Sequence, residues 1–179
     1  MLTGRVKRFL WVAVPLLALV VGAGLYWFEP WRLFTDTTVN EELAAAPAPV
    51  AESVSASASA APPAPQVVLR GAFVTHEHDT SGDVRVVRHP DGRHTLELVG
   101  LDTSDGPDLR VWLSDQPVRE GTAGWRVFDD GRWVELGELK GNKGNQVYEI
   151  PAGTDLTVLR SVSIWCKRFS VSFGAAALT

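Results

Sequence analysis

The chain has 179 residues, with 17 basic and 21 acidic side chains and a formal charge of −4. No basic cluster occurs beyond its first few residues, so the electrostatic footprint of nucleic-acid binding is missing. A single cysteine excludes an internal disulfide and an internal dithiol–disulfide cycle.

In chain order, the first element is FLWVAVPLLALVVGAGLYWF, residues 9–28, which carries no charge. Its length is close to the roughly 20 apolar residues that span a bilayer core. Arg5, Lys7 and Arg8 precede it, which by the positive-inside rule keeps residues 1–8 in the cytoplasm and exports the chain beyond Phe28. Trp11 at one end, and Tyr26, Trp27 and Trp31 at the other, suit an interfacial aromatic belt. A cleaved signal peptide would need a small-x-small site close behind its core, whereas here the chain continues with the bulky YWFEPW. The expectation is an uncleaved single-pass anchor, in which Pro15 is tolerated.

Residues 29–66 form a juxtamembrane segment and linker. PWRLFTDTTV (30–39) is too aromatic for a plain linker and either lies on the membrane surface or docks on the domain. The Ala/Pro/Ser-rich stretch between Glu41 and Gln66 cannot bury enough apolar area to offset its ordering entropy, and reads as a disordered spacer.

Residues 67–179 are left as one folded domain. Val67 to Thr75 reads as a strand, and DVRVVRH (83–89), turn Pro90-Asp91-Gly92 and HTLELV (94–99) read as a hairpin. Leu109, Val111 and Leu113 alternate with Arg110, Trp112 and Ser114, which implies one buried and one wet face. Arg132–Leu136, Gln146–Ile150 and Thr157–Phe173 complete the set. Nothing sustains helical periodicity, so an all-β domain is expected, an antiparallel sandwich or a barrel.

In the last run, Val162, Ile164 and Cys166 share one parity while Phe169, Val171 and Phe173 take the other. One register cannot bury both sets on one face. A β-bulge near Lys167-Arg168 would repair the phase; a change of sheet or burial of both faces are the alternatives.

An exported lone thiol is buried and inert, bonded to another chain, attached to a metal or haem, or reactive. Cys166 packs as a small hydrophobe in one reading; in the other, Lys167 and Arg168 favour its thiolate. His76 and His78, at i, i+2 spacing, would point to one side of a strand and could hold copper or zinc, with Cys166 as a conceivable third ligand. Polar residues at a strand end are the plainer reading. His89 and His94 flank a turn and are expected in solvent. Asp129-Asp130-Gly131 reads as a turn, and Trp112, Trp125 and Trp133 as packing residues. Nucleophile elbow, phosphate loop and paired carboxylates are lacking.

Taken together, Gly71-Ala-Phe73, HDTSG (78–82) with Val84 and Val86, GPDL (106–109) with VWLS (111–114), LGELKGNKGNQVY (136–148) and VSIWCKRF (162–169) resemble the DM13 family. The ending Phe173-Gly174 with Ala176–Leu178 extends the likeness. The resemblance implies a β-sandwich related to DOMON-like domains, acting in electron transfer. It further implies that Cys166 is a redox thiol or the ligand of a prosthetic group such as haem, with His78 in the matching segment. Animal members carry partner redox domains; here the redox partner would be a separate protein. The expected function is a membrane-anchored extracytoplasmic electron-transfer or thiol-redox module. A non-catalytic binding or scaffolding module, or a copper/zinc domain, are the rivals.

Overall fold

A computed structural model describes residues 4–44 and 64–179. The Ala/Pro/Ser-rich spacer falls largely outside these residues. Helix α1, Gly4–Phe28, contains Pro15, and its Leu10–Phe28 stretch is long and apolar enough to cross a membrane. A short 3-10 turn, Pro30–Phe34, follows.

Nine strands make up the rest: β1 Thr38–Asn40, β2 Gln66–Thr75, β3 Ser81–Arg88, β4 His94–Asp102, β5 Leu109–Ser114, β6 Trp133–Glu138, β7 Lys143–Ile150, β8 Ser161–Cys166 and β9 Val171–Ala177. Their order is β1-β7-β4-β3-β2-β9-β8-β5-β6 in one curled sheet. The curl depends on β2. Its Gln66–Ala72 portion pairs with β3, and its Phe73–Thr75 portion pairs with β9. One strand thus serves both halves, and the halves close on a shared core. Val86, Leu96 and Leu98 from one side meet Val111, Leu113, Val162 and Ile164 from the other. Burying such side chains contributes about 1.5–3 kcal/mol each.

The edge strand β6 meets β7, which lies next to the opposite edge, through side chains. The Tyr148 hydroxyl donates to Gln146 Oε1 at 2.7 Å and lies 3.2 Å from the Glu138 carbonyl on β6. It also accepts from the Lys140 N–H at 3.1 Å. Burial pushes the phenol up to about 12, so this bridge stays protonated.

Two expectations need correction. The Lys167–Ser170 segment is a hairpin turn joining β8 to β9, not a bulge in one strand. A register shift does occur, but within the β8–β9 ladder, where Ile164 faces Gly174 and Trp165 faces Ser172. Second, the outer face of β5 is not wet. Trp112, Phe128, Trp165 and Ala175 form a second small core under the β5–β6 loop, with Val118 and Val127 packed on it. From β2 to β9 every strand pair is antiparallel, as expected, and the juxtamembrane segment adds one strand to them. β1, from the juxtamembrane segment, runs parallel to β7. Gly144 permits this, because a Cβ there would collide with the Val39 carbonyl.

Tyr148→Phe removes the hydroxyl's bonds to Gln146 and Glu138 while the Lys140 N–H keeps Gln146 Oε1 at 3.0 Å, and should cost about 0.5–1.5 kcal/mol. Chemical denaturation followed by tryptophan fluorescence measures it; a change near zero would show that the edge bridge is dispensable.

Candidate functional site

Cys166 ends β8, paired to Leu109 of β5 and Val171 of β9. Its row, Val162-Ile164-Cys166, faces the main core, and the sulfur-bearing residue is 0% exposed. Burial pushes the thiol pKa up; the N–H groups of Phe169, Arg168 and Asp108 face the sulfur and offset part of that rise. Glu77 adds a small upward push. The sulfur is therefore sealed from solvent but has polar company, and it rests as the thiol.

The turn that seals it is held from two directions. Arg126 donates to the carbonyls of Phe169 (2.9 Å) and Ser170 (3.1 Å). Ser170 takes φ 48°, a left-handed conformation that a non-glycine residue adopts at a cost. On the other side, Arg168 donates to the Trp27 carbonyl at 2.8 Å and pairs with Glu29 at 3.2 Å, while Phe169 stacks on Phe28 at 5.5 Å. The Lys167 N–H donates to the Asp108 carbonyl at 2.9 Å, closing the turn against Gly106-Pro-Asp-Leu109.

Of the two placements expected for the juxtamembrane segment, the structure has it docked on the domain. Arg32 pairs with Asp105 at 3.5 Å, the Thr37 N–H donates to Asn142 Oδ1 at 2.7 Å, and Lys140 pairs with Glu41 at 2.7 Å. Beyond it, the Ala44 N–H donates to the buried carboxylate of Glu97 at 2.8 Å, and Arg85 binds both Glu97 and the Ala44 carbonyl. These long-range polar contacts had no signal in the sequence.

The two histidines part company. β2 ends at Thr75, so strand alternation does not govern residues 76–78. His76 is buried against Phe128, with Nε2 3.0 Å from the Arg119 carbonyl and Nδ1 2.8 Å from Ser172 Oγ. A carbonyl only accepts, so Nε2 carries the proton and Nδ1 accepts from the serine. Both ring nitrogens are occupied. His78 instead lies on Phe173, ring centroids 4.0 Å apart. Among the described residues no group of three or more His, Cys, Asp and Glu side chains is placed to hold a metal ion. His89, also half-buried, bonds Thr95 Oγ1 at 2.9 Å. Behind His78, Thr80 packs on Gly174 and bonds Thr103 Oγ1 at 2.8 Å, which ties the HDTSG segment to β9.

Beside the cysteine lies a cleft of about 460 Å³ whose lining includes Arg32, Asp105, Asp108, Arg110 and Arg168. Leu109 lines it too, as the β5 partner of Cys166. A haem needs a broad apolar slot with an open axial ligand. This cleft is walled by charged groups and the sulfur is closed off, so the arrangement does not fit haem.

Residues far apart in sequence thus converge on one end of the sheet: His78, Gly106–Leu109, Cys166–Phe169 and Phe173. A family model described as "Electron transfer DM13" matches residues 72–178, which include all of them. The chain belongs to the DM13 family. No curated protein and no solved structure matches it. Within this DM13 domain, HDTSG, GPDL and VSIWCKRF lie at the cysteine's end of the sheet, while LGELKGNKGNQVY builds the meeting of β6 and β7.

Burial lowers the pKa of His76, the carbonyl of Arg119 offsetting part of it, and burial likewise lowers that of His78. A base with a depressed folded pKa favours protonation in the unfolded chain. Its stabilising contribution is present above the unfolded value of about 6.5 and fades as pH falls through the lower folded values. The domain should lose stability between about pH 7 and about pH 5, and His76→Gln should flatten that slope. Denaturant midpoints across this range test it; equal slopes in both proteins would contradict it.

Proposed function

We propose that this DM13 chain is a membrane-anchored, extracytoplasmic electron-transfer module in which Cys166 is the redox residue and the partner is a separate protein. The observation carrying this reading is the seat of Cys166: a lone thiol at the convergence of the family's segments, sealed by a turn and faced by three backbone N–H groups. A surface nucleophile would need the opposite, an exposed sulfur with a lowered pKa. The sealed thiol suits an exchange that needs no bond to solvent species, or one that waits for the Lys167–Ser170 turn to open. The apolar Leu10–Phe28 helix supports anchoring, and the basic residues before it support the exported orientation. His78, stacked on Phe173 beside the site, is a positioning residue for it.

A binding or scaffolding role is the second reading, supported by the docked juxtamembrane segment and the half-exposed Trp133.

Full-length protein in detergent, poised across a range of redox buffers and trapped with a maleimide, decides between them. The expected result is slow native alkylation of Cys166, accelerated by Arg126→Ala, and a reversible redox change lost in Cys166→Ser. A thiol that stays unmodified in every variant until unfolding, with no redox change at any potential, would leave the scaffold reading.

A further inference from the structure

On the outer face of the β8–β5–β6 half, three indoles make one continuous stack. Trp133 lies on Trp112 with centroids 4.0 Å apart and planes 3° apart, and Trp112 lies on Trp165 at 5.0 Å and 23°. Exposure falls along the series: Trp133 40%, Trp112 3%, Trp165 1%. Register explains it. Trp133 pairs with Ser114 and Trp112 with Glu135, so the first two rings are diagonal neighbours across β6 and β5. Trp112 opposite Ser163, and Arg110 opposite Trp165, set the second diagonal across β5 and β8. The middle ring has an acid on its nitrogen: Trp112 Nε1 donates to Glu135 Oε2 at 3.2 Å. Lys167 and Arg110 also reach Glu135, at 3.2 and 3.4 Å.

Packing alone asks only for apolar area, which Leu or Phe would supply. It does not ask for three successive indoles graded from surface to interior, nor for a carboxylate on the buried N–H. Indole is among the most easily oxidised side chains, and rings at van der Waals contact exchange electrons far more readily than groups a strand-width apart. Oxidation turns the indole N–H from a practically non-acidic group into an acid comparable with a carboxylic acid, so a hydrogen-bonded carboxylate can take the proton as the electron leaves.

We propose that Trp112 with Glu135 is a second redox site of this chain and that Trp133 is its surface port, receiving a high-potential metal centre of a partner protein. The metal centre gains one electron from Trp133. Trp112 refills Trp133, and its Nε1 proton moves to Glu135 Oε2, leaving a neutral indolyl radical beside a protonated carboxyl. A one-electron reductant docked at Trp133 reverses the sequence, and the proton returns to Nε1. Trp165 extends the stack to the residue bonded to Cys166. The site rests on the electron-transfer reading but not on the chemistry of Cys166.

The test uses the full chain in detergent, oxidised by a photogenerated ruthenium(III) polypyridyl complex and followed by transient absorption and electron paramagnetic resonance. Wild type should give a long-lived neutral tryptophan radical. Trp133→Phe, a surface change, should lose most of its yield, and Glu135→Gln should convert its signature to the cation radical. Trp112→Phe should abolish the long-lived species. Cys166→Ser should leave yield and signature unchanged, which separates this site from the cysteine. Wild-type radical yield retained in Trp133→Phe, or a neutral radical persisting in Glu135→Gln, overturns the proposal, and neither variant disturbs the core.

Discussion

All six residues of β8 are buried, on both faces of the sheet. Strands that bury one face can leave the other to water; β8 cannot, because the main core covers one side and the β5–β6 loop covers the other. Alternation then leaves no freedom. Val162, Ile164 and Cys166 go inward, and Ser161, Ser163 and Trp165 go outward. The cysteine and the tryptophan are adjacent in sequence and back to back in space. The serines on the outer side need partners there: Ser163 Oγ donates to Ser172 Oγ, and Ser161 Oγ to the Ser114 carbonyl. The same serine at 172 meets His76. One doubly covered strand therefore fixes the sulfur, the indole stack and the buried histidine in a single arrangement.

The N-terminal helix and the segment after it act on the same strand. Arg168, two residues past Cys166, bonds the last turn of α1, and Phe169 stacks on Phe28. Residues 29–44 then run over the sheet as a strap, adding β1 to β7 and reaching Glu97 through Ala44. Glu97 is a buried carboxylate, and Arg85 with the Ala44 N–H supplies its charge and hydrogen-bond partners. Leaving it without them would cost several kcal/mol. Docking of the strap is thus coupled to the satisfaction of a buried charge, which holds the cysteine end of the domain against the helix.

The features readable from the sequence divide by physical range. The β3–β4 hairpin was legible because Pro-Asp-Gly is a local turn signal, and Gly92 takes the positive φ such turns use. The inward rows of β5 and β8 were legible from alternation. The phase break after Cys166 was also visible, but its cause was not. Lys167-Arg-Phe-Ser170 contains no glycine, proline or asparagine, and its turn is held by Arg126, over 40 residues away in sequence. The covered outer face was hidden for a similar reason, since the β5–β6 loop has no periodicity of its own. The strap's three-residue strand is too short to announce itself. Family likeness located the cysteine; it carried no information about whether water reaches it.

That distinction bears on chemistry. Nucleophilic thiol exchange requires contact between atoms, so a sulfur with no exposure must first be uncovered, and a raised pKa slows it further. Electron exchange requires only proximity of orbitals and a place for any proton that moves. The outer face supplies both: rings in contact from the surface inward, and a carboxylate on the buried N–H. The inner face supplies a sulfur in a closed shell, close to the backbone N–H groups that temper its raised pKa. The proposed electron-transfer role would use both sides of this one strand, a sealed thiol on one and a graded indole stack on the other, with the polypeptide keeping water from each.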